Sequence, residues 1–221
     1  MNRKDAKNAK EERGRKFLLP PWNLQGFAIQ TVHLVNVEGV AGLIPSPLKI
    51  VSVYPGKTLA SVYLSQYQSG SVLEYSELIV VPALVRYGAK VGGWISHIYV
   101  DHPDSVVGGR EIWGLPKELA EFSWEANKRV TVCLGNQQFC SLNYQQQNLA
   151  WRQKFKVFAF SKMEGNLLIF PAKFNSLLGF ISSQLEIPSE SPFLEIGLNQ
   201  PFLTVRCEQL NLSVDAPMVL Q

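Results

Sequence analysis

Apolar and polar residues alternate along most of this chain with a period near two, and few segments carry the three-to-four spacing of a helix. Short runs rich in Val, Ile, Tyr, Phe and Thr are separated by Gly, Pro, Asn and Ser, which is the chemistry of strands and turns. Strands are predicted over 27–37, 48–54, 58–67, 74–87, 91–100, 119–126, 128–134, 137–143, 153–161, 166–171 and 202–214. Gly135-Asn136 predicts a hairpin turn between two of them. The prolines Pro20 and Pro21 ahead of Trp22 fix an extended entry into the patterned region. Helical spacing is confined to 40–43, the stretch after Pro116, and 174–183. The pairs Gly92-Gly93 and Gly108-Gly109 lack a strand-to-helix context and read as bulges or tight turns. Many strands without alternating long helices predict a mainly β chain, a large antiparallel sheet closing into a barrel or sandwich with a few short helices.

Composition narrows the class. With 221 residues, 46% of them apolar, the chain can bury a large core without a disulfide or structural metal. Cys133, Cys140 and Cys207 are odd in number and show no ligand spacing, so neither a disulfide framework nor a zinc module is expected, and a reducing, cytoplasmic setting is. No apolar run reaches the length of a spanning helix, so no membrane span is expected. The net charge of +3 resides in the first sixteen residues, which hold seven bases and three acids; the remainder carries −1. Residues 1–16 therefore read as a basic, disordered tail and 17–221 as one domain. A near-neutral body behind a tail is not the broad basic face of a nucleic-acid binder.

The common nucleotide, zinc-hydrolase and serine-hydrolase signatures are absent from the sequence, and no cofactor is expected. Asp101-His102-Pro103-Asp104 gathers two carboxylates and an imidazole, but Asp and Pro also end strands and start turns, and no metal site is expected there. Lys117 is the more informative residue. It lies among Leu115, Pro116, Leu119 and Ala120, close to Trp113 and Phe122. A free lysine near pKa ~10.4 is neutral in only about one molecule in 2,500 at pH 7. Apolar surroundings raise that fraction and make a nucleophile. The local sequence alone favours an exposed lysine on a turn after the proline. Glu74-Tyr75-Ser76-Glu77 leads into the run LIVVPALV, and alternation sets Tyr75 and Glu77 on one face with Glu74 and Ser76 on the other. A carboxylate there can serve as proton donor or acceptor beside an amine, or stand exposed at a strand end.

These blocks together resemble the acetoacetate decarboxylase superfamily: Glu74–Glu77 with the following strand and Pro82, Ile98-Tyr99-Val100-Asp101, Gly109-Arg110-Glu111, and Gly114-Leu115-Pro116-Lys117, in that order. Ile44-Pro45 with Leu48 matches an earlier family element. The resemblance implies a closed or cone-like barrel with Lys117 inside it as the Schiff-base residue and Glu77 as the acid/base group. A lysine tuned by its pocket in acetoacetate decarboxylase is a standard example of this chemistry. Arg110 and Glu111 are expected to pair and brace the lysine loop, with Tyr75, Trp113 and Glu118 as pocket or loop residues. Two departures count against acetoacetate itself. Glu118 stands where the family usually has a second lysine, and no arginine occurs between Lys16 and Arg86 to hold a substrate carboxylate. Pro21-Trp22, Gly26, Ala28, Gln30 and His33-Leu34-Val35 are similar to the opening of a plant and cyanobacterial neoxanthin-deficient-like branch.

The resulting expectation is an enzyme, a carbon–carbon lyase acting on a small or medium oxo acid or ketone by decarboxylation or aldol-type chemistry. The alternative is a non-catalytic barrel that binds an apolar ligand such as a carotenoid or other isoprenoid. The family also implies a homo-oligomer.

Overall fold

A computed structural model describes residues 19–146, 149–198 and 200–220. The basic tail, 1–16, lies outside the described residues. The strands are β1 (Trp22–Asn36), β2 (Lys49–Ile50), β3 (Lys57–Tyr67), β4 (Tyr75–Val81), β5 (Leu84–Tyr87), β6 (Lys90–Trp94), β7 (His97–Val100) and β8 (Lys117–Leu119). They continue as β9 (Glu121–Glu125), β10 (Arg129–Leu134), β11 (Gln137–Tyr144), β12 (Trp151–Met163), β13 (Asn166–Phe180), β14 (Ser183–Glu186), β15 (Leu203–Val214) and β16 (Met218–Leu220). The α-helices are α1 (Val37–Val40), which runs into a short 3-10 turn, and α2 (Pro103–Trp113).

The chain is mainly β, as its alternation predicts, but the closed antiparallel barrel is not what forms. Twelve strands make one open sheet in the order β2-β5-β6-β12-β13-β15-β1-β3-β4-β7-β8, with β16 beside β13. Two of its pairings, β6 with β12 and β7 with β8, are parallel. The sheet stays open because its end strands, β2 and β8, are two and three residues long and do not pair with each other. Irregular chain ties interior strands together: the amide of Ile95 donates to Phe160 O of β12 and that of Ser96 to Val80 O of β4. Helix α2 is tied to β12 as well, for the Ser161 hydroxyl donates to Trp113 O at the end of the helix. A second sheet, β14-β11-β10-β9, covers one face of the first.

Strands β3 and β4 are buried on both faces, and alternation sorts their side chains. Val62, Leu64, Leu78 and Val80 join the core shared with the small sheet, including Val132, Phe139 and Leu142. Tyr63, Tyr67 and Tyr75 point the other way, toward Trp22, Trp113, Phe170 and Leu212.

Three local expectations are corrected. Residues 174–183 are not helical: β13 runs to Phe180, paired with β12 on one edge and β15 on the other. A register shift between Asn175 and Leu177 breaks the alternation there, which is why Leu177-Leu178 imitates helical spacing. The stretch after Pro116 is strand β8. Gly108-Gly109 lie inside helix α2, not in a turn.

Candidate active site

Helix α2 delivers two groups to the site and steadies a third. Its start is set by Pro103 at the first position and by His102 Nδ1, which accepts from the Asp104 amide at 3.2 Å. Its end is a left-handed glycine cap: Gly114 adopts φ 60°, its amide donates to Arg110 O, and the Leu115 amide donates to Gly109 O. That turn reverses the chain so that Lys117 opens β8 beside Ile98 of β7. The Arg110 guanidinium Nε donates to Lys117 O at 2.8 Å and fixes the strand start. A Cβ on Gly109 would collide with the stem of Lys117, and one on Gly108 with the Trp22 ring, so both glycines allow the close approach of helix and site.

Lys117 is buried, and its ammonium is fully engaged. Nζ donates to Glu77 Oε1 at 2.8 Å and to the buried Ser105 hydroxyl of α2 at 2.9 Å. It also lies 5.6 Å from the Trp22 ring centre and 5.1 Å from that of Tyr75, within cation–π range. The side chains of the ion pair retain only 4% and 6% of their accessible surface. Desolvating two charges costs several kcal/mol per ion, so the pair persists only because each carries the other's counter-charge.

Glu77 has a second partner, the Tyr67 hydroxyl, which donates to Oε2 at 3.1 Å; Tyr63 stands behind it with the two hydroxyls 3.4 Å apart. Burial, and after it neighbouring charge, pushes the hydroxyls of Tyr67 and Tyr75 well above the ordinary tyrosine range; burial does the same to Tyr63, with Tyr67 hydrogen bonding partly opposing it. All three are neutral phenols, able to donate to an oxygen that gains charge.

These groups line a cavity of about 480 Å³ whose other walls are mostly apolar, among them Ile79, Phe155, Phe158, Phe170 and Phe174. Its cationic lining consists of Lys117 and Lys156, and no arginine among the described residues lines it. No group of three or more His, Cys, Asp or Glu residues among the described residues is placed to hold a metal. Asp101 instead accepts from the Ser76 amide at 2.7 Å.

The structure brings Lys117, Glu77, Tyr75 and Trp113 to this cavity. Arg110 braces the lysine backbone but forms no ion pair with Glu111, because adjacent helix positions diverge and Glu111 is exposed. Glu118 is exposed on the opposite side of β8, where its charge acts on His97 and Tyr99. Sequence reasoning missed Tyr63, Tyr67, Ser105 and Trp22 as site residues. For the tyrosines a signal existed, since alternation along β3 puts positions 63 and 67 on one face. Ser105 went unseen with its helix.

Comparison with known proteins agrees with this architecture. The chain is 32% identical over 113 residues to Protein NEOXANTHIN-DEFICIENT 1 of Solanum lycopersicum, covering 51% of this chain and 37% of that protein. It is 30% identical over 101 residues to acetoacetate decarboxylase 1 of Bradyrhizobium diazoefficiens, covering 45% of this chain and 38% of that one. The matches thus span little more than a third of these relatives. In three dimensions it is similar to acetoacetate decarboxylase from Legionella pneumophila, with TM-score 0.74, 13% identity and 92% and 88% of the two chains covered. The enduracididine biosynthesis enzyme MppR complexed with pyruvate gives TM-score 0.69 at 13% identity, with 92% and 91% covered. The acetoacetate decarboxylase family model matches residues 8–174, and the chain belongs to that family.

Proposed function

We propose that the protein is a Schiff-base-forming lyase that acts on an oxo acid or ketone through Lys117, with Glu77 moving the protons. The observation that carries this reading is the buried 2.8 Å contact between Lys117 Nζ and Glu77 Oε1 at the wall of an apolar cavity. In such a pair the ammonium needs no outside base. Its proton passes to Glu77, the freed lone pair adds to the carbonyl carbon, and the protonated Glu77 returns that proton to the oxygen to give a carbinolamine; Glu77 then carries a second proton from the nitrogen to the hydroxyl, which leaves as water. The product is an iminium, and Glu77 is again a carboxylate, so charge and atoms balance. The iminium then takes up the electron pair of a breaking carbon–carbon bond, which serves decarboxylation and retro-aldol cleavage alike. Tyr67 and Tyr75, as neutral donors, stabilise the oxygen while it carries charge. Pyruvate in the structurally similar MppR supports a carbonyl compound as the substrate class.

A second reading, a non-catalytic holder of an apolar ligand, is favoured by the mostly apolar, aromatic-rich walls of the cavity, among whose described lining residues there is no arginine. Oxygen exchange separates the two. Reversible imine formation swaps a ketone's oxygen with water, so the protein should accelerate loss of a heavy-oxygen label from ketones, and Lys117→Met should abolish the acceleration. Exchange at the uncatalysed rate across a panel of ketones and aldehydes would remove the lyase reading.

A further inference from the structure

The cavity is far larger than a ketone of a handful of atoms requires. At about 480 Å³ it lies in the range that takes drug-sized ligands. Its lining is also graded. The polar groups, Lys117, Glu77 and the tyrosine hydroxyls, are buried, while Val91 and Val157 line it and are exposed. These two valines stand on β6 and β12, two residues before the paired positions Gly93–Ala159 and Trp94–Phe160, and mark the exposed end of the lining. Beside it Phe155 and Phe174 are stacked with ring centres 4.8 Å apart, a flat apolar wall. The charges are equally uneven. Lys117 is already paired with Glu77, and Lys156 is exposed with Nζ 4.9 Å from the Phe158 ring centre. A carboxylate attached next to the reacting carbonyl would meet the Glu77 carboxylate and no unpaired cation, which is costly in so dry a place.

Resting on the imine reading above, we propose that the site takes an uncharged ketone or aldehyde carrying an apolar chain of medium length, in preference to a short oxo acid. The carbonyl carbon meets Lys117 Nζ, and the chain runs along the aromatic wall toward Val91 and Val157. Specificity is then set by the length of chain the wall can cover. Ala172, a lining residue paired with Val157 in the β12–β13 ladder, limits the space on that path.

Reductive trapping tests this. The protein is incubated with cyanoborohydride and limiting acetone, butanone, methyl butyl, methyl hexyl or methyl octyl ketone, or with pyruvate or levulinate. Mass gain is followed by intact mass spectrometry and divided by the rate for butylamine under the same conditions. Trapping should strengthen about three- to four-fold per added methylene until the cavity is filled, and each oxo acid should react more slowly than a neutral ketone of equal length. Ala172→Leu should move the optimum to shorter ketones. Acetone trapped as efficiently as methyl hexyl ketone, an oxo acid preferred over its neutral counterpart, or an unmoved optimum in the variant overturns the proposal while leaving the imine reading intact. No adduct with any probe overturns both.

Discussion

Lys117 and Glu77 hold each other's charge where neither meets water, so losing one partner should cost more than losing both. Glu77→Gln or Lys117→Met alone is expected to destabilise by about 3–5 kcal/mol in urea unfolding. The double variant should be more stable than either single one, and a double variant less stable than both would contradict the pairing. A second residue responds to pH. Burial lowers the pKa of His97 below its ordinary 6.5, with the Glu118 charge opposing. Between the lowered value and 6.5 the unfolded chain binds a proton that the folded one does not, so His97 makes stability fall as pH drops through that window. His97→Gln should flatten the dependence of the urea midpoint between about pH 7.5 and 5.5, and an unchanged slope would count against it. At this scale the sequence was readable where strand parity decides: Tyr75 and Glu77 share a face because they are two residues apart. Ser105 was not, because its role depends on a helix meeting a strand.

Helix α2 is the element hardest to read from sequence. Val106-Val107-Gly108-Gly109 has poor helix propensity, so the local pattern argues for a turn. Its true signals were terminal, Pro103 at the start and Gly114 past the end. The glycines are explained by tertiary approach, which makes Gly109→Ala a test of competing effects. Propensity favours alanine by about 1 kcal/mol in a helix interior. Against that, the new methyl collides with the lysine stem, which is flexible enough to move. The expected outcome is a lowered unfolding midpoint, since the displaced ammonium leaves Glu77 buried without its partner, and carbonyl trapping reduced at least ten-fold. Full trapping in a stable Gly109→Ala protein would contradict the positioning role. Strand β13 teaches the converse lesson: its bulge produced a false helical rhythm that only pairing on both edges reveals.

Across the whole molecule, the mainly β character was legible from alternation, but sheet closure was not. Whether end strands meet depends on pairings as short as the two residues shared by β6 and β12, which leave no mark on composition. The two-faced burial of β3 and β4 separates a packed core from a cavity side, and the cysteines report on the packing. Burial pushes the Cys140 thiol up to about 12 and that of Cys207 up to about 11, while Cys133 is half-buried. In the native protein at pH 8, iodoacetamide should modify Cys133 and reach Cys140 and Cys207 only on unfolding; rapid native labelling of Cys140 would contradict the packed core. No helix among the described residues is long and apolar enough to cross a membrane. The central claim is that this interior makes one lysine reactive toward carbonyl compounds. Its most direct measurement is peptide mapping after cyanoborohydride reduction with the best-trapped ketone. The account predicts one adduct, on Lys117, lost in Lys117→Met. Label spread over exposed lysines at the rate of a free amine, with Lys117 unmodified, would contradict it.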